Sequence, residues 1–596
     1  MNLPDKVKSI FSVKNVSYAA ILLNLISILF GIIYLTSASL GIIYIFVLWD
    51  IFGIIIIVTL FCNLLLTYLN TIRLNKTTKL GNKLNLLCYI YLMFVNVAMF
   101  LIILGNILPS ASYSNLLTDN LMAYGLLVLG YFGVLGFGII IAFVDIRNLE
   151  TKELWDLTVV GDYRQSNMWR IIKKLLKIFI GITCILVLVL GVSFTYGVFF
   201  GGVELVAEVL ASISALFGVF YAIIGLSTLI IFLNILNRKR RPKLRKVIAI
   251  IGLLNIGVML LPLFATPYSI STADQNFAAA FGANWQKNIP VAVENNYFMS
   301  TQFSLPGYFL GIPARDCKID QDIEYYNGEN VSLCFDVYSL EGGVIGLPGN
   351  NSILIRIHGG GWRWGDKGGL NGMQVNKYFA AQGYVVFDIQ YGLKQTSRDG
   401  ITAILDIISP TPEDVVGDFN VTDMVRHIGI FCKYIANDSN PYSADDYVAN
   451  LNSVFVSGSS AGGHLTNAVA LGIASGNYTT YFGTNLTIKG FVPIYPGPPQ
   501  SLGGIDGTPE FMNPEEHLIN QTSPPCLVLS GSSDYLCSEE TKLIKRQYDA
   551  VSNDNCAIVW GPFGGHACDI YSSGYSAQVF LYYMERFMYL CVNGLI

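Results

Sequence analysis

Charged side chains are scarce in this sequence: Asp, Glu, Lys and Arg make up 13% of its 596 residues, about half the share usual in soluble proteins. Histidine is scarcer still, with five copies and none before His358. No pair of cysteines has the spacing of a zinc site. No N-terminal stretch has the pattern of a cleavable signal peptide, and no basic stripe runs through a soluble segment. These absences exclude a disordered chain and argue against a simple soluble enzyme. With a net charge of −4, they also exclude a nucleic-acid partner. No metal or organic cofactor is expected.

What is present divides the chain in two. Residues 1–267 carry 21 Lys/Arg and 10 Asp/Glu, whereas 268–596 carry 16 and 31. A membrane-spanning helix needs about 20 mostly apolar residues, and seven stretches qualify, near 18–36, 41–67, 85–107, 121–144, 175–199, 205–235 and 247–267. The reading is a polytopic α-helical membrane domain over 1–270, a linker or cap segment over 271–304 and a globular domain over 305–596. Asp50 is expected deep in the second span, where an ionisable group raises the question of transport; a helix-packing hydrogen bond or a helix end nearer the interface is the plainer alternative. Lys and Arg fall in alternate loops: Lys6, Lys8 and Lys14, four over 73–83, seven over 147–177 and seven over 238–246, against none near 37–40, 108–120 and 200–204. Retention of positive loops in the cytosol makes the N-terminus cytoplasmic. Everything after residue 267 then lies outside the cytosol, in the secretory pathway or at the plasma membrane. Seven N-x-S/T sequons in the second half, at Asn330, Asn350, Asn420, Asn437, Asn477, Asn485 and Asn520, agree with a glycoprotein of that orientation. Eight of the eleven cysteines lie there too, so some disulfides are expected, with Cys526 a candidate free core thiol.

In the second half, short β-rich runs alternate with helical segments, at 317–326, 331–338, 352–357, 384–391, 453–457, 490–495, 526–530 and 556–560. The interior runs are apolar at consecutive positions, as strands buried on both faces require. The expectation is an α/β fold with a mostly parallel eight-stranded sheet. Chemistry gathers at the strand ends. Gly458-Ser459-Ser460-Ala461-Gly462 is a G-x-S-x-G sequence between a strand and a helix, the context of a nucleophile elbow, with Ser460 the nucleophile and the Ala461 N–H an oxyanion donor. His358-Gly359-Gly360-Gly361-Trp362 follows another strand; its glycines let backbone N–H groups approach a developing oxyanion. Asp534 and His566 follow the last two strands, so the order Ser460, Asp534, His566 is that of the α/β-hydrolase fold. His566 is the candidate base and Asp534 its orienting acid; Asp569 is read as structural and His358 as an anchor of the glycine loop.

These residues resemble a known group. His358 to Trp362 with Gly365-Asp366-Lys367, the Gly458-Ser459-Ser460-Ala461-Gly462-Gly463-His464-Leu465 run, Phe335-Asp336-Val337-Tyr338 and Pro524-Pro525 are similar to the hormone-sensitive-lipase-like α/β-hydrolases. Within them the closest flavour is the branch of kynurenine formamidase, isoprenylcysteine methylesterase and bacterial carboxylesterases. The likeness covers about 305–590. It implies Gly360, Gly361 and Ala461 as oxyanion donors and a serine hydrolase of carboxylic esters, with a lipid ester fitting the membrane tether. The chain departs from the group at Ser459, where Asp is frequent, and at Gln390-Tyr391-Gly392, where D-Y-R is frequent. Insertions over 395–420 and 497–522 are expected entrance loops. Two other readings stand beside this one: an acyltransferase or amidase using the same residues, and a catalytically silent receptor or adhesion module on a hydrolase fold.

Overall fold

The computed structural model describes residues 12–39, 46–114, 118–159, 167–236, 240–312, 317–340, 346–396, 410–501 and 504–596. Lys6, Lys8, Arg164, Arg238 and Lys239 of the loop-charge pattern, and positions 397–409 of the first expected entrance loop, lie outside the described residues.

The first half is a bundle of α1 (Val13–Ser39), α2 (Phe46–Arg73), α3 (Lys79–Ser110), α4 (Leu121–Arg147), α5 (Asn167–Phe200), α6 (Leu205–Ile235), α7 (Pro242–Met259) and α8 (Leu261–Phe281). Among the described residues, seven helical segments are long and apolar enough to cross a membrane, the seventh being α7 and α8 together, Pro242–Phe281. Where lipid surrounds a bundle, helices associate through close backbone approach and polar contacts. Both are present. A Cβ on Gly130 would sit 2.8 Å from the Ala98 carbonyl oxygen, so α3 and α4 touch backbone to backbone there. The amides of Asn24 and Asn63 donate to each other at 2.7 and 2.9 Å. Asn70 donates to Asp145 at 2.7 Å.

Two expectations for this half are corrected. In the second span, described as a helix from Phe46 onward, Asp50 lies in the first two turns and is exposed. Among the described residues, the carboxylates that the span helices bury are Asp145 and Glu208. The seventh span does not stop at 267: Pro262 occupies the first turn of a new helix, α8, where proline is tolerated, and α8 runs on to Phe281. Residues 271–304 are thus no linker. Phe277, Phe281, Trp285, Ile289 and Phe298 are buried in the core of the second half. Asn276 donates to the Ile558 carbonyl at 2.9 Å, and the Ser269 hydroxyl bonds the Trp560 carbonyl.

The second half is built on eight strands: β1 (Lys318–Gly328), β2 (Val331–Ser339), β3 (Ser352–Ile357), β4 (Val385–Ile389), β5 (Asn450–Ser459), β6 (Ile488–Ile494), β7 (Cys526–Gly531) and β8 (Cys556–Gly561). Their order in the sheet is β1-β2-β4-β3-β5-β6-β7-β8. The sheet is mixed, which corrects the mostly parallel sheet expected. β2 pairs antiparallel with both β1 and β4, while the pairs from β4 to β8 are parallel. The reason is local: only two residues separate β1 from β2, enough for a hairpin and too few for a parallel crossover. Alternate residues feed opposite faces. Ile353, Ile355, Val454 and Val456 meet α11 (Val421–Ile435) and α12 (Ala461–Ser475) on one face. Leu354, Phe455, Leu527 and Leu529 meet α10 (Gly372–Ala380), α14 (Tyr575–Val592) and the end of α8 on the other. α13 (Ser538–Ala550) follows β7.

The halves share a core. The short helix α9 (Leu305–Leu310) buries Tyr308 and Phe309 among the bundle helices. The Tyr308 hydroxyl donates to the Leu216 carbonyl at 3.0 Å, and Asn106 donates to the Phe309 carbonyl at 3.1 Å. The expected disulfides are not formed: no two of the eleven cysteines are bonded to each other. Six of the eight in this half are buried, where a thiol packs as a small hydrophobic group. Cys526 and Cys556 face each other in register on β7 and β8 as thiols.

Candidate active site

The turn between β5 and α12 is too tight for side chains on its flanks. A Cβ at Gly458 would lie 2.5 Å from the carbonyl oxygens of Gly462 and Ile357. Ser460, at the apex, has φ 57° and ψ −120°. A non-glycine residue with positive φ is strained, and this one is held by its N–H to the Ile494 carbonyl at 2.9 Å and by the Gly497 N–H donating to its carbonyl at 3.0 Å. The strain lifts the Ser460 side chain off the sheet end.

Two loops bring partners to it. His566 Nε2 lies 2.8 Å from Ser460 Oγ, and His566 Nδ1 lies 3.1 Å from Asp534 Oδ2. The Cys537 N–H donates to the other Asp534 oxygen at 2.8 Å. The three residues singled out in the sequence therefore form one hydrogen-bonded chain. Burial works against charge on the Asp534 carboxyl, but the charge and hydrogen bond of His566 outweigh it and hold the carboxyl below its ordinary pKa. Burial likewise disfavours a charged His566 ring, yet Asp534 outweighs it, helped by Glu208 and Asp569, and the ring's pKa is raised. The other histidines with a resolved shift move the opposite way. Burial pushes His358 and His464 down to about 4 and also lowers His427. His358 donates to the Gly359 carbonyl at 2.7 Å and stacks on Tyr391; His464 contacts the Met512 carbonyl at 3.2 Å.

The glycine loop lies across from this chain. Gly360 and Gly361 have φ of 117° and 57°, and a Cβ at Gly360 would overlap the Trp364 carbonyl oxygen. Among the described residues, the backbone N–H groups of Gly360, Gly361 and Ala461 donate to no acceptor. Gly360 and Gly361 line the cavity of about 740 Å³ that opens over Ser460 and His566; Ala461 is buried at the first position of α12. Lys367 fixes the far side of the loop, its ammonium 3.0 Å from Asp336 and 2.6 Å from Asp322. Gln390, where the resembling group has Asp, donates to Asp366 at 2.6 Å. Tyr391 donates to the His358 carbonyl at 2.9 Å. Of the two departures here, Gln390 thus supports the loop and Gly392 donates to His427 Nδ1 at 3.2 Å; neither lines the cavity.

Asp569 accepts from the Tyr495 hydroxyl at 2.7 Å and does not bond His566. Asp534, Cys537 and His566 place ligand-type atoms within 4.8 Å of one another, and those atoms are engaged with each other, Cys537 Sγ lying 3.4 Å from His566 Nδ1. One neighbour was not foreseen: Glu208, from α6, accepts N–H groups of the loops that carry Asp534 and His566. Its signal in the sequence is slight, a single carboxylate in the first turn of an apolar helix.

No family model and no curated protein matches the chain. Solved structures do. The apo form of Thermogutta terrifontis esterase 2 is 17% identical, aligned over 48% of this chain and 96% of its own, with a TM-score of 0.33. Esterase B from Lactobacillus rhamnosis with a tributyrin phosphonate is 18% identical over 47% and 88%, with a TM-score of 0.33. A hyperthermophilic esterase from Pyrobaculum calidifontis is 15% identical over 48% and 85%, with a TM-score of 0.33.

Proposed function

We propose that the protein is a membrane-anchored serine hydrolase of carboxylic esters, with Ser460 as nucleophile, His566 as base and Asp534 as the acid that orients it. The observation that carries the reading is the strained Ser460 with its hydroxyl 2.8 Å from His566 Nε2. His566 takes the Ser460 proton as Oγ attacks the ester carbonyl; the tetrahedral oxyanion is met by the free N–H groups of Gly360, Gly361 and Ala461. The imidazolium returns its proton to the leaving alcohol, and an acyl-enzyme remains. Water then enters, gives a proton to His566 and attacks the acyl carbon; as the bond to Ser460 Oγ breaks, His566 returns that proton to Ser460 and the acid is released.

An apolar substrate suits the cavity, whose wall includes Trp364, Leu370, Leu536 and Val209 from α6. Around that point the helix ends expose Phe199, Val203, Val206 and Val209, a surface that suits a membrane interface and hence a lipid ester. The orientation with the N-terminus in the cytosol is supported by where the halves meet. The bundle touches the second half through Tyr34, Asn106, Ser110 and Glu208, all at helix ends free of Lys and Arg. Six of the seven sequon asparagines are exposed, so glycans are accommodated on a lumenal or extracellular domain. Asn420 is the exception, its side chain capping α11.

The test is fluorophosphonate labelling of membranes containing the wild type or Ser460→Ala, in intact and opened vesicles. Labelling of the wild type alone, protected in sealed cytosol-side-out vesicles, is expected. A folded wild type that does not label, or a mutant that labels equally, would overturn the assignment.

A further inference from the structure

We propose that Glu208, in the first turn of the sixth apolar helix, is a positioning residue of the Ser460–His566–Asp534 site, so that a membrane helix completes the active site. The proposal rests on the hydrolase reading above.

Glu208 is 1% exposed. One of its oxygens, Oε1, accepts the Tyr535 N–H at 3.0 Å and the His566 N–H at 3.2 Å. Tyr535 directly follows Asp534, so a single atom ties the peptide beside the acid to the peptide of the base. These loops leave different strands, β7 and β8, and need a shared anchor to keep the two side chains in register. One turn along α6, the Ser212 hydroxyl donates to the His566 carbonyl at 2.9 Å. The helix thus grips His566 by its N–H and its C=O. There is no slack between them: a Cβ at Gly565 would overlap Ser212 Oγ and lie 2.8 Å from the Glu208 carbonyl oxygen.

A helix that only packed here could do so with an apolar residue. Burying a carboxyl is costly unless its hydrogen bonds are met, and this one is met by the two peptides that aim the base. A shift of about 1 Å in a catalytic group can cost roughly a hundredfold in rate. Removing the acceptor is therefore expected to lower the rate of serine attack without altering binding in the cavity, which Glu208 does not line.

The experiment measures fluorophosphonate inactivation of the full-length protein in detergent micelles, separating the maximal rate of inactivation from the half-saturating probe concentration. Glu208→Ala is expected to lower the maximal rate by about tenfold or more with half-saturation unchanged. Glu208→Gln keeps an oxygen at the same place and is expected to restore the rate to within about threefold. A Glu208→Ala protein that reacts like wild type overturns the proposal, as does a Gln variant that melts like wild type yet is as slow as Ala. If Glu208→Ala does not fold, Ser212→Ala removes the bond to the His566 carbonyl together with the same hydroxyl's bond to the Glu208 carbonyl within α6; a drop of about threefold at an unchanged melting temperature supports the clamp, and an unchanged rate overturns it. A wild type that fails to label defeats the hydrolase reading itself, an outcome distinct from any difference among these variants.

Discussion

Asp145 in the helical bundle and Asp534 in the α/β half are both carboxyls taken wholly out of water, and their partners differ in kind. Asp145 is met by neutral groups, the Asn70 amide at 2.7 Å and the Ser17 hydroxyl at 3.5 Å, each from another helix. Asp534 is met by a titratable ring and by a backbone N–H three residues away. The first arrangement holds helices together and has nothing to hand a proton to. The second is directional: it orients an imidazole whose far nitrogen meets a strained serine. Burial of a polar group is thus not by itself a mark of function; what matters is whether its partner can change protonation state during a reaction.

The largest break in this comparison comes from replacing Asp534. Asp534→Asn keeps the shape but can present the wrong hydrogen-bonding group to His566 Nδ1, and a fall in kcat of about 10⁴-fold is expected, measured by ester hydrolysis on protein that folds and melts normally. A smaller loss would demote Asp534 to the role that Asp145 has. Next is Gly565→Ala, which drives a methyl group into Ser212 and the α6 backbone. Overpacking of this kind costs about 1–3 kcal/mol, read as a lower melting temperature, and kcat is expected to fall with it because the strain acts on His566.

A third prediction concerns pH. His566 must be neutral to accept the serine proton, and its pKa is raised. Activity should therefore be lost on acidification with a midpoint above the ordinary imidazole value of about 6.5. Asp534→Asn removes the main cause of the rise and should move the midpoint of the residual activity downward. A kcat/KM profile that stays flat through this range would argue that another group is the base.

How much of this could be read from the chain depends on how far apart the interacting residues lie. The Ser460 turn and the glycine loop were legible because each is a contiguous run whose glycines are required by contacts within a few residues or on the adjacent strand. Asp534 and His566 were legible from their place after the seventh and eighth strands. Eight strands were visible as apolar runs, but their directions were not, because the antiparallel β2 is defined by its pairing rather than its composition. Asp50 drew attention as a charge in an apolar stretch, yet it is exposed in the first two turns of α2 as described. Glu208 did not, since its partners lie more than 300 residues further on and nothing near it in the chain hints at them. The cysteines misled for a related reason: an even count in an oxidising compartment permits disulfides, yet those side chains are spent as packing on buried strands and helices.

The smallest expected effect is the one that guards the comparison from the other side. Asp145→Asn retains an oxygen that can accept from Asn70, so both the melting temperature and ester hydrolysis should match wild type. Asp145→Leu leaves the Asn70 amide and the Ser17 hydroxyl without that acceptor. Polar contacts between membrane helices are worth about 0.6 kcal/mol on average and up to about 1.7, so a small drop in thermal stability is expected, with kcat of the folded protein unchanged. Asp145 lies near the C-terminal end of α4, whereas Glu208 lies in the first turn of α6, against the α/β half. If Asp145→Asn nevertheless reduced ester turnover at unchanged stability, the bundle's polar network would be coupled to the site along the length of the helices. The division between adhesive and reactive carboxyls would then fail, and the helical half would have to be credited with more than the proposed Glu208 clamp.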